Sequence, residues 1–229
     1  MKLFKNSVKI NDCDRIIEYN DKYKLYLRTN SLDLFVAGEM MHAYKNLMVD
    51  SNTVLFDLGA NIGAFAHKWG PLVKQIISYE PEENNFRLLK KNTEDLKNIV
   101  YVQAAIGMTE DKERVFYKNN RRNTCAHSLY ISRGRDIVTV PAINFDKEVE
   151  KYQPNVVKMD IEGGEFEIIL GSCFHNCIKE IIFEVHFVKK RWIESYQLLL
   201  NTLEKHNFKP AYSIPERKKG WLLVLHYRR

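Results

Sequence analysis

Cysteine is scarce in this sequence, and Cys13, Cys125, Cys173 and Cys177 show no spacing of a disulfide framework. Cys173-Phe-His-Asn-Cys177 places His175 between two thiols. Zinc sites normally draw on two such pairs, and Cys13 and Cys125 supply none, so free, partly buried thiols are expected. No apolar run approaches membrane-spanning length, and Met1-Lys-Leu-Phe-Lys5 lacks the apolar core of a signal peptide. A cytoplasmic protein is expected. There is no linker, repeat or low-complexity segment to divide the chain. The phosphate-binding pattern Gly-x-Gly-x-x-Gly is also missing, which disfavours a dinucleotide-dependent dehydrogenase.

What is present suits a globular α/β protein. A chain of 229 residues with 45% hydrophobic and 12% aromatic content can bury a real core, and disorder is disfavoured. The net charge of +6 admits an acidic partner such as nucleic acid, an anionic glycan or a nucleotide-sugar. The basic residues are nevertheless scattered, with small clusters at Arg121-Arg122, Arg133 and Arg135, Lys189-Lys-Arg191 and Arg217-Lys-Lys219. Solvated surface is the commoner role for such clusters.

One stretch organises the rest. Val54-Leu-Phe-Asp-Leu-Gly-Ala-Asn-Ile-Gly63 reads as a buried strand, a glycine turn around Gly59, Ala60, Asn61 and Gly63, and the start of a helix. Such a turn lets backbone approach a nucleotide-like ligand at the carboxyl end of a sheet. A carboxylate at Asp57 would repel a pyrophosphate but suits an ammonium and a sulfonium, which points to S-adenosylmethionine rather than NAD. Ile76-Ile-Ser-Tyr-Glu80, followed by Pro81, is a second apolar strand ending in an acid. Glu80 is placed to accept hydrogen bonds from both ribose hydroxyls.

Residues 1–50 form an N-terminal strand and helix preamble packed on the core, and residues 51–229 carry the strand–helix alternation, one domain in all. Strands are predicted at 23–28, 54–57, 76–80, 99–102, 114–117, 137–140, 156–160, 181–186, 211–214 and 221–227. Helices are predicted over 38–48, 63–69, 83–95, from 144, over 166–170 and over 190–206. Helix 38–48 can lid the cofactor with Glu39 or Tyr44, although plain packing explains either. The polar stretch Asn119 to Arg135 reads as a functional loop.

A second constellation lies at the same sheet edge. Lys158 and Asp160 share a face of one strand, and Glu184 and His186 share a face of the next, with Glu162 just beyond Asp160. Moving a methyl from a sulfonium to a hydroxyl needs positioning and a base. His186 titrates in the useful range, and Asp160 can orient the hydroxyl or the methionine amine. Alternatively, Asp160, Glu162 and Glu184 hold a divalent cation, magnesium or manganese, that acidifies a sugar diol. Lys158 is a candidate catalytic residue beside Asp160, His186, Glu162 and Glu184, with pairing to an acid as the alternative.

These residues closely resemble the FkbM family of methyltransferases. The resemblance rests on Phe56-Asp-Leu-Gly-Ala-Asn-Ile-Gly63, Tyr79-Glu-Pro81 with Asn85-Phe86, Ala104-Ala-Ile-Gly107, Val157-Lys-Met-Asp-Ile-Glu-Gly-Gly-Glu165 with Leu170-Gly171, and Phe183-Glu-Val-His186. It covers roughly residues 38–210; most members have Glu-Gly-Ala-Glu where this chain has Glu162-Gly-Gly-Glu165. The family implies a Rossmann-like, seven-stranded, mostly parallel sheet with a C-terminal antiparallel hairpin, S-adenosylmethionine as donor, and O-methylation of a hydroxyl. By motif, cofactor contact carries to Asp57, Gly59, Ala60, Asn61, Gly63, Glu80, Pro81 and Asp160, with Ala104 and Ala105 near the adenine. Family acceptors are diverse, and the polar Asn119–Arg135 stretch favours a sugar hydroxyl.

Two other functions compete. A nucleic-acid 2′-O-methyltransferase suits the basic charge, but the Lys-Asp-Lys-Glu tetrad of such enzymes is matched only in part by Lys158, Asp160 and Glu184. A non-catalytic cofactor-binding module is disfavoured by the intact Asp160 and His186 pair.

Overall fold

The computed structural model describes residues 7–9, 14–19, 23–44, 46–119, 127–130, 132, 134–187, 193–212 and 222–229. Cys13, Cys125, Arg121-Arg122, Arg133, Lys189-Lys-Arg191, Arg217-Lys-Lys219 and most of the 119–135 stretch lie outside them.

The chain begins with β1 (Ser7–Lys9), β2 (Asp14–Tyr19), β3 (Tyr23–Arg28) and α1 (Asp33–Ala43). It then alternates through β4 (Val54–Leu58), α2 (Ala64–Trp69), β5 (Gln75–Tyr79), α3 (Glu83–Asn92) and β6 (Ile99–Val102). Three strands follow, β7 (Ala105–Gly107), β8 (Glu113–Lys118) and β9 (Asp136–Asn144). After α4 (Phe145–Tyr152) come β10 (Val156–Met159), α5 (Glu165–Gly171) and β11 (Glu180–His186). The described chain closes with α6 (Tyr196–Lys205), β12 (Lys209–Pro210) and β13 (Leu222–Arg228).

Seven strands form the central sheet in the order β12-β13-β11-β10-β4-β5-β6, with β1-β2-β3 and β7-β9-β8 as two smaller sheets. Strands β6, β5, β4, β10 and β11 run parallel, and β13 is antiparallel to both β11 and β12. From β4 the chain moves outward to β5 and β6, then returns to the other side as β10 and β11. The strand order therefore reverses between β4 and β10, where open α/β sheets bind ligands.

Period-two geometry divides the core between the two faces of this sheet. Leu55, Ile76 and Val156 pack with Val36 and Met40 of α1, Phe65 of α2 and Leu89 of α3. Phe56, Leu58, Ile77, Tyr79, Val157 and Met159 pack instead with Phe145, Val149, Phe166, Ile169, Leu199 and Leu203 of α4, α5 and α6. Each such side chain contributes about 1.5–3 kcal/mol when fully buried. Asp57, Ser78 and Lys158 fall on the α1–α3 face by the same alternation, and register places Lys158 and Ser78 on either side of Asp57.

The expected strands and helices recur with shifted ends. Helix α1 starts five residues before the predicted 38, at Asp33, and ends five before the predicted 48, at Ala43. The buried Asp33 carboxylate accepts from the Arg28 backbone N at 2.8 Å and from the Arg28 guanidinium at 2.8 and 2.9 Å, so a local pair with the end of β3 fixes the start. Of the strand expected at 211–214, residues 213–214 lie outside the described residues, and the short strand Lys209–Pro210 comes just before it. Helix α4 is capped by Asn144, whose side chain accepts from Lys147 N at 3.2 Å.

Candidate active site

A cavity of about 370 Å³ opens over the carboxyl ends of β4, β5, β10 and β11. Its wall includes Gly59, Asn61, Glu80, Pro81, Ala104 and Ala105 at one end and Glu39, Asp160, Glu162, Glu184 and His186 at the other. Most of the sequence-predicted site residues are thus brought to one cavity.

The first end is built by close backbone approach. Gly59 has φ +76°, and a Cβ there would lie 1.9 Å from the Asp160 carbonyl oxygen, so only glycine lets the β4 and β10 loops touch. Gly63, at φ +84°, faces Leu89 rather than the cavity, and a Cβ would meet the Leu89 Cα at 3.0 Å. The amides of Gly59 and Ala60 donate to the Tyr79 carbonyl at 3.0 and 2.9 Å, tying this loop to β5.

Glu80 follows directly. It is buried, yet lines the cavity. Oε2 accepts from Asn61 N and Oε1 from Glu82 N, each at 2.9 Å. The Asn85 side chain donates to this carboxylate as well, which leaves it acceptor capacity for one further hydrogen bond. Burial pushes the Glu80 carboxyl up to about 7, with the two backbone donors offsetting part of the rise. Beyond it, Ala104, Ala105, Ile106, Phe116 and Leu129 give an apolar wall suited to a planar base, together with His127. His127 Nδ1 accepts from Asn119 N at 2.9 Å. Burial pushes this imidazole down to about 4, so it is neutral near pH 7.

The second end gathers charge. His186 Nε2 lies 3.6 Å from Glu162 Oε2 and 3.9 Å from Asp160 Oδ1, while Nδ1 lies 3.2 Å from Glu165 Oε1. Burial alone would lower the His186 pKa, but Glu165, Glu162 and Asp160 outweigh it and hold the imidazole well above its ordinary value. His186 is therefore an imidazolium near neutral pH, which corrects the expectation of a free imidazole base. Burial first, then Asp160, lifts the Glu184 carboxyl to about 8. Tyr44 Oη donates to Glu184 Oε1 at 3.0 Å.

Asp57 and Lys158 also depart from expectation. Both are fully buried and neither lines the cavity. Lys158 Nζ donates to Asp57 Oδ1 at 3.0 Å, to the Gly59 carbonyl at 2.8 Å and to the Leu58 carbonyl at 3.3 Å. Burial raises the Asp57 carboxyl, and the Lys158 ammonium offsets part of that rise. For Lys158 burial lowers the pKa, and Asp57 and Asp160 more than reverse it, so the lysine stays charged. The strand alternation directs both side chains under the loop rather than into the cavity.

The cation set is corrected as well. Donor atoms of Asp160, Glu162 and His186 lie within 4.8 Å of one another, with His186 rather than Glu184 completing the group. The imidazolium supplies positive charge to this cluster. Among the described residues, the other such group is Asp146, Cys173 and His175. Cys173 is an exposed free thiol and Cys177 a partly buried one.

Further lining residues were not singled out from the sequence, although Met40 lies in the helix expected to lid the cofactor and His127 and Leu129 in the stretch read as a functional loop. Phe35, Val36 and Met40 reach the cavity from α1, and Phe116, His127 and Leu129 from β8 and the segment after it. Glu165 carried a sequence signal: an acid immediately after a Gly-Gly turn, next to a strand end rich in acids.

Residues 57–210 match the Methyltransferase FkbM domain. The chain belongs to the FkbM methyltransferase family. Among curated relatives, this FkbM chain is 25% identical over 143 residues to the hexuronic acid methyltransferase AglP of Haloferax volcanii, covering 60% of this chain and 57% of AglP. It is 25% identical over 171 residues to the uncharacterized protein C12G12.16c of Schizosaccharomyces pombe, covering 73% of this chain and 31% of that protein. The chain thus spans about a third and somewhat over half of these two relatives. Among solved structures, Trm5b from Pyrococcus abyssi superposes with a TM-score of 0.55 at 11% identity, covering 98% of this chain and 62% of the other. Methyltransferase FkbM from Methylobacillus flagellatus KT gives 0.50 at 13% identity, covering 84% and 48%. At such identities the likeness shows the shared fold. Among the described residues, no helix is long and apolar enough to cross a membrane.

Proposed function

We propose that this protein transfers a methyl group from S-adenosylmethionine to a hydroxyl of a sugar, in a glycan or glycosylated metabolite. The observation that carries the reading is the two-ended cavity. A buried carboxylate at the tip of β5 faces an apolar slot, and a carboxylate–imidazolium cluster faces it from β10 and β11. The residues fit the cofactor: Glu80 retains acceptor capacity for a ribose hydroxyl, Ala104 to Ile106 offer an apolar wall to adenine, and Asp160 offers charge to the methionine ammonium. When bound, S-adenosylmethionine supplies an electrophilic methyl on a sulfonium.

The chain's own part is to position the acceptor and take its proton. Transfer forms a bond from methyl carbon to hydroxyl oxygen, breaks the methyl–sulfur bond and releases one proton. Glu162 takes that proton in this reading, because burial lifts its carboxyl to about 7, poised between giving and receiving near neutral pH. His186, already charged, steadies Glu162 and the developing negative oxygen. Phe35 lines the cavity yet is 59% exposed, so its ring is open to the apolar face of a sugar beside Glu39. The similarity to AglP supports an acidic sugar within that class. The cytoplasmic setting expected from the sequence belongs to the same reading.

The experiment is mass-spectrometric detection of methylation on a panel of neutral and uronic-acid glycosides incubated with S-adenosylmethionine. Methylated uronic-acid product is expected, reduced by Glu162→Gln and His186→Ala while cofactor affinity is kept. Product should persist in chelator, because the imidazolium already supplies positive charge. Release of S-adenosylhomocysteine with RNA and with none of the glycosides would overturn the acceptor assignment.

A further inference from the structure

Glu165 opens α5 and is fully buried, although it is a carboxylate. Its Oε1 accepts from Ile161 N at 2.9 Å and its Oε2 from Gly163 N at 2.8 Å. The same Oε1 lies 3.2 Å from His186 Nδ1. One side chain therefore ties the loop after β10 to the last residue of β11. The loop it braces is strained: Glu162 at φ +52° and Gly163 at φ +107° are consecutive left-handed residues. A non-glycine residue there persists only where surrounding contacts hold it.

The chemistry of the three contacts fixes the rest. A carboxylate only accepts, so the His186 nitrogen facing Glu165 carries a hydrogen. With Nδ1 committed to Glu165, Nε2 is the nitrogen turned toward Glu162 and Asp160 and the cavity they line. A carboxylate this deeply buried is costly unless its lone pairs are matched, and two backbone amides and one imidazole match them.

We infer that Glu165 is the positioning residue of this site. It fixes which ring nitrogen of His186 faces the acceptor and holds the left-handed turn that presents Glu162. The role of His186 in turnover rests on the function proposed above; the positioning itself does not, and it is read without cofactor or acceptor. No shorter or neutral side chain reproduces it. Aspartate lacks one methylene of reach. Glutamine keeps one acceptor oxygen and turns an amide donor toward donors.

The test is proton and nitrogen NMR of the full chain, wild type against Glu165→Gln, with the His186 ring assigned by its loss in His186→Gln. The wild type is expected to show a downfield, water-protected Nδ1–H of His186. In Glu165→Gln that proton should move upfield or vanish into exchange, and the pH midpoint of the ring should fall. S-Adenosylmethionine affinity should stay within about threefold while turnover on the methylated glycoside drops about 10- to 100-fold. A merely structural Glu165 would lower the melting temperature and leave the ring signals in place, which overturns the inference. If Glu165→Gln does not fold, the wild type still decides: a His186 ring with no protected Nδ1–H also overturns it. Absence of cofactor binding in the wild type would sink the methyltransferase reading and leave the ring result standing.

Discussion

Lys158 Nζ lies 3.0 Å from Asp57 Oδ1, joining two neighbouring parallel strands directly beneath the glycine loop. The same ammonium caps the Gly59 carbonyl at 2.8 Å and is a second donor to the Leu58 carbonyl, which also accepts from Asp160 N at 3.0 Å. Its surroundings are the rings of Phe65 and Tyr44, with centroids 5.4 and 6.0 Å away. Breaking a buried pair leaves an uncompensated charge, at a cost of about 3–5 kcal/mol. Lys158→Met should therefore lower the melting temperature by on the order of 10 °C, measured by calorimetry of the ligand-free protein. The double variant Asp57→Leu with Lys158→Met should recover part of that loss. A single variant as stable as wild type would remove the pair from its structural role.

Glu80 gives a pH signature. Its carboxyl sits at about 7 in the folded protein against 4.5 for an ordinary glutamate. The folded state thus binds this proton more tightly than the unfolded state. The stability Glu80 contributes is complete below about pH 4.5 and is lost as pH rises through about 7. The melting temperature of ligand-free Glu80→Gln should fall less steeply across that window than that of wild type. A ribose hydroxyl donates to the ionised form, so cofactor affinity should rise with pH through about 7 in wild type alone. Parallel slopes for the two proteins would refute this use of Glu80.

The contact between loops at Gly59 predicts a steric effect. Alanine there costs about 1 kcal/mol for the left-handed backbone alone. Its Cβ would also sit 1.9 Å from the Asp160 carbonyl, so the β4 and β10 loops must part. Gly59→Ala should weaken S-adenosylmethionine binding at least about tenfold, a change of roughly 1.4 kcal/mol, in a calorimetric titration. Gly38→Ala, with no atom within 4 Å of its Cβ, serves as the control and should bind as wild type does.

The parallel sheet was legible because most of its strands are buried apolar runs, and β4, β5, β10 and β11 carry a charged residue at or next to their carboxyl ends, whereas the partly buried β6 runs on into Gln103. Most of the cavity was legible for the same reason, since Glu80, Asp160, Glu162, Glu184 and His186 all stand at carboxyl ends of such strands. The use of Asp57 was not. Its partner lies 101 residues away, and only the register of β4 against β10 brings them together. The early start of α1 rests instead on a local contact, Asp33 with Arg28 five residues before it, which apolar periodicity does not register. Phe35 reaches the wall through helix placement that no local pattern encodes, whereas His127 lies in the 119–135 stretch whose polar composition already read as functional. The charge state of His186 depends on three carboxylates of the single segment 160–165, brought against it by the pairing of β10 with β11, a property of packing rather than of the histidine.

The most direct measurement is calorimetric titration of the full chain with S-adenosylmethionine, run beside Glu80→Gln. The account predicts saturable binding of one equivalent near micromolar affinity, weakened about tenfold or more by the loss of a charge-assisted acceptor. No heat at any cofactor concentration, with a folded protein, would contradict it.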